Sequence, residues 1–227
     1  MGDSLKRENL NKIIITAVFS AIAFLFTFIF KFKVGFLTFD FKDAVISIVS
    51  FLLGPLYGII SAGLVAFFEF LSISDTGPYG LLMNFIASGS FALTIATIYK
   101  YKRTLSGAIL AALSSVFAVT AIMMIANYFI TPLYMGVERY EVAEMIPTLL
   151  LPFNLAKSTI NAATVLIIYK PVTTALRRFG LVKKTALKTT LNKKSIMLYV
   201  ISFLIILIAV LVIVFVLNGG FQIIAQK

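Results

Sequence analysis

The chain has 227 residues, 60% of them hydrophobic, with a formal net charge of +11 and a mean hydropathy of +1.03. Apolar runs of about 20 residues recur along it, the length that crosses a bilayer core, so it reads as an all-α integral membrane protein. Cysteine and histidine are both absent, which excludes disulfides, thiolate or imidazole metal sites and Ser/His/Asp or Cys/His catalysis. No Gly-x-x-x-x-Gly-Lys-Ser/Thr loop for ATP hydrolysis occurs either.

Seven apolar segments follow in order, near 11–30, 43–54, 56–73, 79–99, 106–130, 148–170 and 196–217, separated by Gly, Pro or charged residues. The first follows Lys6, Arg7 and Lys12 in the manner of a signal peptide, but it is too long and has no convincing small-residue cleavage site. It is expected to be a retained helix. The stretch FKVGFLTFDFKD (32–43) shows the partial alternation of an extended loop, able to fold over a pocket mouth as a lid. The short second segment and the third are joined by LLGPLYG (52–58), too tight for more than a turn, which predicts an antiparallel pair.

GPYGLLMNFIASGS (77–90) opens the fourth helix, with Tyr79 at the interface and Asn84 one or two turns deeper. NYFITPLYMG (127–136) ends the fifth, where Thr131 and Pro132 are expected to close the helix and Asn127 lies about one turn inside. The sixth carries Asn154, Lys157 and Asn161 on one face. A lysine at that depth costs roughly 2.5 to 3.5 kcal/mol on insertion scales, so the stripe should face protein or a cavity. Glu69 reads as the one carboxylate in the membrane region, and the ammonium of Lys157 as a group that a ligand would pair.

Lysine and arginine concentrate in 1–12, 100–103 and 170–194, whereas Asp40, Asp43, Asp75, Glu138, Glu141 and Glu144 fall on the other side. By the positive-inside rule the amino terminus is cytoplasmic, and the carboxyl terminus is outside if the seventh segment spans. The basic patches then touch anionic lipid headgroups, and nucleic acid is not expected as a partner. Asparagines and one lysine converging on the outer leaflet among Phe and Tyr suit a planar heteroaromatic solute better than a metal ion. A self-sufficient secondary transporter of another planar solute stays open on this reading. So does an intramembrane lipid-processing enzyme, though the clustered acids or metal ligands it would need are not seen.

LTFDFKDAV (37–45), LLGPLYGIISAG (52–63), NYFITPLYMG (127–136) and above all LPFNLAKSTINA (151–162) resemble the riboflavin-type substrate-binding subunits (S components, RibU type) of energy-coupling factor (ECF) vitamin transporters. The resemblance covers roughly residues 10 to 178. It implies a six-helix bundle in the bacterial cell membrane, a pocket open to the exterior, riboflavin or FMN as transported ligand, no catalysis and no cofactor. Carried over, Asn127, Asn154 and Lys157 would hydrogen-bond the carbonyl and nitrogen edge of the ring; Asn84, read from its helix position alone, is a further substrate-binding candidate. The loop of Phe36, Leu37, Thr38, Phe39 and Asp40 would close over the ligand, with Thr38 or Asp40 near the ribityl hydroxyls.

The implied partners are a coupling transmembrane subunit and two cytoplasmic ATPase subunits. Ala17 and Ala21, one turn apart, are similar to the alanine motif that meets the coupling subunit, although small residues at this spacing serve internal packing equally well. The expected organisation is a substrate-binding membrane domain over 1–178, a basic cytoplasmic linker over 179–194, and an additional transmembrane helix with a short tail over 195–227. That helix departs from the six-helix pattern and is expected to pack peripherally, away from Ala17 and Ala21.

Overall fold

A computed structural model describes residues 2–180 except 35 and 103, together with 197, 200–202 and 204. The elements are α1 (Gly2–Ile29), β1 (Phe32–Val34), β2 (Leu37–Phe39), α2 (Lys42–Leu53), α3 (Pro55–Ser72), α4 (Gly77–Tyr101), α5 (Leu105–Met135), α6 (Arg139–Met145), a π-helical turn (Ile146–Leu150) and α7 (Leu151–Arg178). Five helical stretches among the described residues are long and apolar enough to cross a membrane: Lys6–Ile29, Pro55–Ser72, Gly77–Tyr101, Ser106–Met135 and Arg139–Leu176. The chain is a multi-pass helical membrane protein. The linker beyond 180 and most of the seventh apolar segment lie outside the described residues, and with them the expectation of peripheral packing.

α2 is the exception in length. Its 12 residues span only about 18 Å at 1.5 Å per residue, short of the roughly 30 Å hydrocarbon core. It is enclosed instead: every residue from Lys42 to Ser50 is buried, against α1, α3, α4 and α7. Glycine makes the tight turn to α3 possible. Gly54 adopts φ 99°, a conformation that side chains resist, and Pro55 starts α3 at a position where no backbone N–H is needed. Farther along, a Cβ on Gly58 would stand 1.9 Å from Ser50 Oγ, so only hydrogen permits so close a crossing.

α1 buries Ile15, Phe19 and Ala23 against α2 and α3. Its polar contact is a 2.7 Å hydrogen bond between the hydroxyls of Ser20 and Ser61. Around α4, α5 and α7 the core is rich in alanine, including Ala108, Ala111, Ala112, Ala126 and Ala162. Small side chains let these helices approach closely where there is no hydrophobic drive between them.

Two local expectations differ from the structure. The 32–43 stretch is not an extended loop: its first part is an antiparallel hairpin, pairing Phe32 with Phe39, Lys33 with Thr38 and Val34 with Leu37, and Lys42 and Asp43 already belong to α2. In a low-dielectric setting a lone extended segment would leave its amides unpaired, and the hairpin satisfies them internally. Thr131 and Pro132 do not end α5 either. The helix runs on to Met135 and stops at Gly136, which takes a left-handed conformation (φ 68°) and donates its N–H to Pro132 O. A proline removes one helical N–H, and in membrane helices neighbouring groups can make good that loss.

Candidate functional site

At the end of the bundle where the hairpin lies, α2, α4, α5 and α7 surround an open-mouthed cavity of about 110 Å³. One wall is the hairpin, through Phe36, Leu37 and Thr38; α4 supplies Gly80, Met83, Asn84 and Ala87; α5 supplies Val119, Met123, Asn127 and Tyr134; α7 supplies Phe153, Asn154, Lys157 and Ser158. The mouth is aromatic: the Phe36 ring lies 6.3 Å from Tyr134, which lies 6.2 Å from Tyr79.

The asparagines are anchored by their own helices. Asn127 Nδ2 donates to Met123 O at 2.7 Å while its Oδ1 accepts from Thr131 Oγ1 at 2.9 Å. Asn154 Nδ2 donates to Leu150 O at 2.8 Å, and Asn84 Nδ2 to Glu69 Oε2 at 2.7 Å. Each amide keeps a further proton or lone pair for a solute. Asn161, the third member of the α7 stripe, is fully buried and structural. Its Nδ2 donates to Asp40 O and its Oδ1 accepts from Ala44 N, both at 2.9 Å, so it joins the foot of the hairpin to the start of α2.

Lys157 faces this cavity rather than lipid, with a side chain 12% exposed. Its ammonium donates to Thr38 O at 3.0 Å and to Asp40 Oδ2 at 2.8 Å. The chain itself therefore pairs Lys157, which corrects the expectation that a ligand must do so. Asp40 is held on a second side, 3.6 Å from the Lys42 ammonium. Burial raises the Asp40 carboxyl, but the ammoniums of Lys157 and Lys42 outweigh that effect and hold it below the usual carboxylate range.

Two of the expected lid residues do not line the cavity. Phe39 turns away and packs its ring 4.6 Å from Phe153 in a cluster with Leu149, Ala156 and Ile160. Asp40 lies behind the wall, with its carboxylate on the lysines. Alternation along β2 explains Phe39, because Thr38 and Phe39 must point to opposite faces.

The sequence reading put Asp40, Lys42 and Asp43 on the outer side without foreseeing that all three are buried, and Glu69 is not the one buried carboxylate. Lys42 Nζ donates to both Glu69 oxygens, at 2.8 and 2.7 Å. Asp43 borders the cavity and accepts a hydrogen bond from Ser88 Oγ. Sequence reasoning missed Asp43, Met83, Met123, Tyr134 and Ser158. Helical spacing from the chosen asparagines reaches several of them, since Met123 lies one turn from Asn127 and Ser158 one turn from Asn154.

On α1, Ala17 and Ala21 are exposed, whereas Thr16, Ser20 and Ala23 face inward. Internal packing, the alternative use of that pair, is thus assigned to the opposite face. The two alanines share their side with exposed Ile14, Val18 and Leu25.

The model of the ECF transporter substrate-specific component matches residues 11–173, a stretch that includes the hairpin, the buried charges and every cavity-lining helix. This chain is an ECF transporter substrate-specific component. Among the similar proteins, the S component shares 32% identity over 185 residues with the riboflavin transporter RibU of Staphylococcus aureus (strain TCH60), covering 77% of this chain and 96% of the relative. It is 28% identical over 184 residues to RibU of Streptococcus thermophilus (strain ATCC BAA-250 / LMG 18311), covering 74% and 85%. It is 27% identical over 161 residues to the riboflavin transporter FmnP of Bacillus subtilis (strain 168), covering 66% and 85%. A solved structure of the S component of a bacterial ECF transporter superposes with a TM-score of 0.64 at 32% identity, over 75% of this chain and 99% of the other. These relatives are transporters, not enzymes. The S component accordingly has a binding role, and its amide-rich cavity is the candidate site.

Proposed function

We propose that this S component captures riboflavin from outside the cell in the cavity between the hairpin, α4, α5 and α7, and that an ATP-driven ECF module then delivers it inward. The observation that carries the reading is the cavity's lining. Asn84, Asn127 and Asn154 offer amides alongside Lys157, while Phe36, Tyr134 and Phe153 supply flat apolar surface. A tricyclic ring with a polar edge needs that combination, and the three relatives above bear the name riboflavin transporter.

Orientation follows from charge. α4 runs from the cavity at Gly77 to Lys100 near its far end, and α7 runs from the cavity to Lys170 and Arg178. The basic ends therefore lie opposite the cavity, which the positive-inside rule directs outward, with the amino terminus in the cytoplasm. The exposed Ala17 and Ala21 face suits a coupling transmembrane subunit, itself attached to two ATPases. We assign residues 1–178 to the binding domain, 179–194 to a cytoplasmic linker and 195–227 to an additional membrane helix.

The test is to purify the chain without added ligand, record its absorbance, and titrate riboflavin while following flavin fluorescence. A bound-flavin spectrum and saturable quenching at one site per chain are expected. Colourless protein that leaves flavin fluorescence unquenched would overturn the reading.

A further inference from the structure

Resting on the riboflavin reading, we propose that Glu69 is a positioning residue for the ligand: it sets the Asn84 amide so that the amide oxygen accepts from a hydroxyl or ring N–H of the bound molecule. Asn84 lines the cavity and Glu69 does not. The two share a smaller neighbouring chamber of about 30 Å³, and Asn84 and Thr38 border both spaces.

The three asparagines of the cavity are oriented by different means. Asn127 and Asn154 each donate to a carbonyl one turn back on their own helix, Met123 O and Leu150 O. Asn84 reaches to another helix instead, from Nδ2 on α4 to Glu69 Oε2 on α3 at 2.7 Å. A carboxylate oxygen only accepts, so it draws the NH2 arm of the amide and repels the oxygen arm. Among the described residues Asn84 Oδ1 has no hydrogen-bond partner, which leaves it for a donor on the ligand.

Glu69 is itself held in place. It is 2% exposed, and its two oxygens accept from the Lys42 ammonium at 2.8 and 2.7 Å. The polarity that Asn84 presents is thus decided by a buried ion pair before any ligand arrives, and a preset amide spares the complex the cost of ordering it.

The experiment measures the Kd of riboflavin by fluorescence quenching for wild type, Asn84→Ala, the repacked pair Lys42→Met with Glu69→Leu, and all three substitutions together. Asn84→Ala should weaken binding about tenfold and the repacked pair at least about threefold, both well resolved by titration. The triple variant should bind no more weakly than Asn84→Ala, because a positioning residue acts only through the amide it positions. Thermal melts show whether the pair folds, with Lys42→Leu and Glu69→Met as the alternative repacking. Lumiflavin, which keeps the ring N–H and lacks the ribityl hydroxyls, names the donor: a matching loss in Asn84→Ala assigns the ring N–H, and an unchanged Kd assigns a hydroxyl.

Unchanged riboflavin affinity in Asn84→Ala, or in a folded repacked pair, overturns the proposal. So does a pair that weakens binding as much in the Asn84→Ala background as in wild type, the result expected if it only supports the hairpin through Asp40, 3.6 Å from Lys42. Wild type that binds no riboflavin overturns the functional reading, and this one with it.

Discussion

The Lys157 ammonium lies 2.8 Å from Asp40 Oδ2 across 117 positions of sequence. It also holds Thr38 O, so one α7 side chain ties the hairpin to the cavity's opposite wall. The contact lets a lysine stand inside an oily bundle, because its charge is matched and its protons are bonded. It also makes the lysine both part of the cavity wall and the anchor of the hairpin that forms another part of it.

Lys157→Met should weaken riboflavin binding at least about tenfold in protein that remains monodisperse, read by fluorescence quenching. Asp40 keeps Lys42 3.6 Å away, so the variant does not leave a buried carboxylate wholly without a cation. Unchanged affinity would remove Lys157 from the site.

Asp40→Asn leaves the cavity lining intact but loosens the hairpin. Riboflavin should dissociate faster, with stopped-flow quenching showing the larger change in the off-rate. A pH series of thermal melts provides the second measurement. The folded Asp40 carboxyl titrates below its ordinary 3.8, so its stabilising contribution is complete above that value and is lost as pH falls below it. The gap in melting temperature between wild type and Asp40→Asn should therefore be constant above pH 3.8 and close on acidification.

Lys42→Met leaves buried Glu69 with the Asn84 amide but without its ion-pair partner, since the Lys42 ammonium supplies bonds of 2.7 and 2.8 Å to it. Breaking such a buried pair from one side costs about 3 to 5 kcal/mol, whereas replacing both partners by apolar residues is often neutral. The single variant should melt well below wild type, and Lys42→Met with Glu69→Leu should recover most of the loss.

Ala17→Trp with Ala21→Trp alters an exposed strip of α1 on the side away from its packed face. Riboflavin binding by the purified chain should be unchanged. Uptake by cells that supply the coupling subunit and ATPases should fall to background. Retained uptake would move the docking face elsewhere.

Deleting residues 190–227 should leave riboflavin affinity unchanged, since the described residues that line the cavity fall between 36 and 158. Loss of binding in folded, monodisperse protein would assign the carboxyl-terminal segment a part in the site.

The sequence by itself determined the features that follow from composition and local periodicity. Apolar runs of membrane-crossing length declare the spans, and the turn at Gly54 and Pro55 declares a tight helical pair. The Asn154, Lys157 and Asn161 stripe declares that one face of α7 meets protein or cavity rather than lipid. The motifs also carried the family resemblance, while Asn84, Asn127, Asn154 and Lys157 were legible beforehand as polar groups on apolar helices.

Only the tertiary structure decided where the charges go. Asp40, Lys42 and Asp43 read locally as a polar loop, because nothing in their neighbourhood signals Glu69 at a separation of 27 residues or Lys157 at 117. Whether an ionised side chain is solvated or buried depends on the partner that meets it, and that partner is supplied by another helix. For the same reason Phe39, next to Thr38 in the chain, belongs to the packing on Phe153 and not to the cavity. Ala17 and Ala21, equally suited by spacing to inner or outer packing, were placed on the outside by the neighbours that α1 found on its other face.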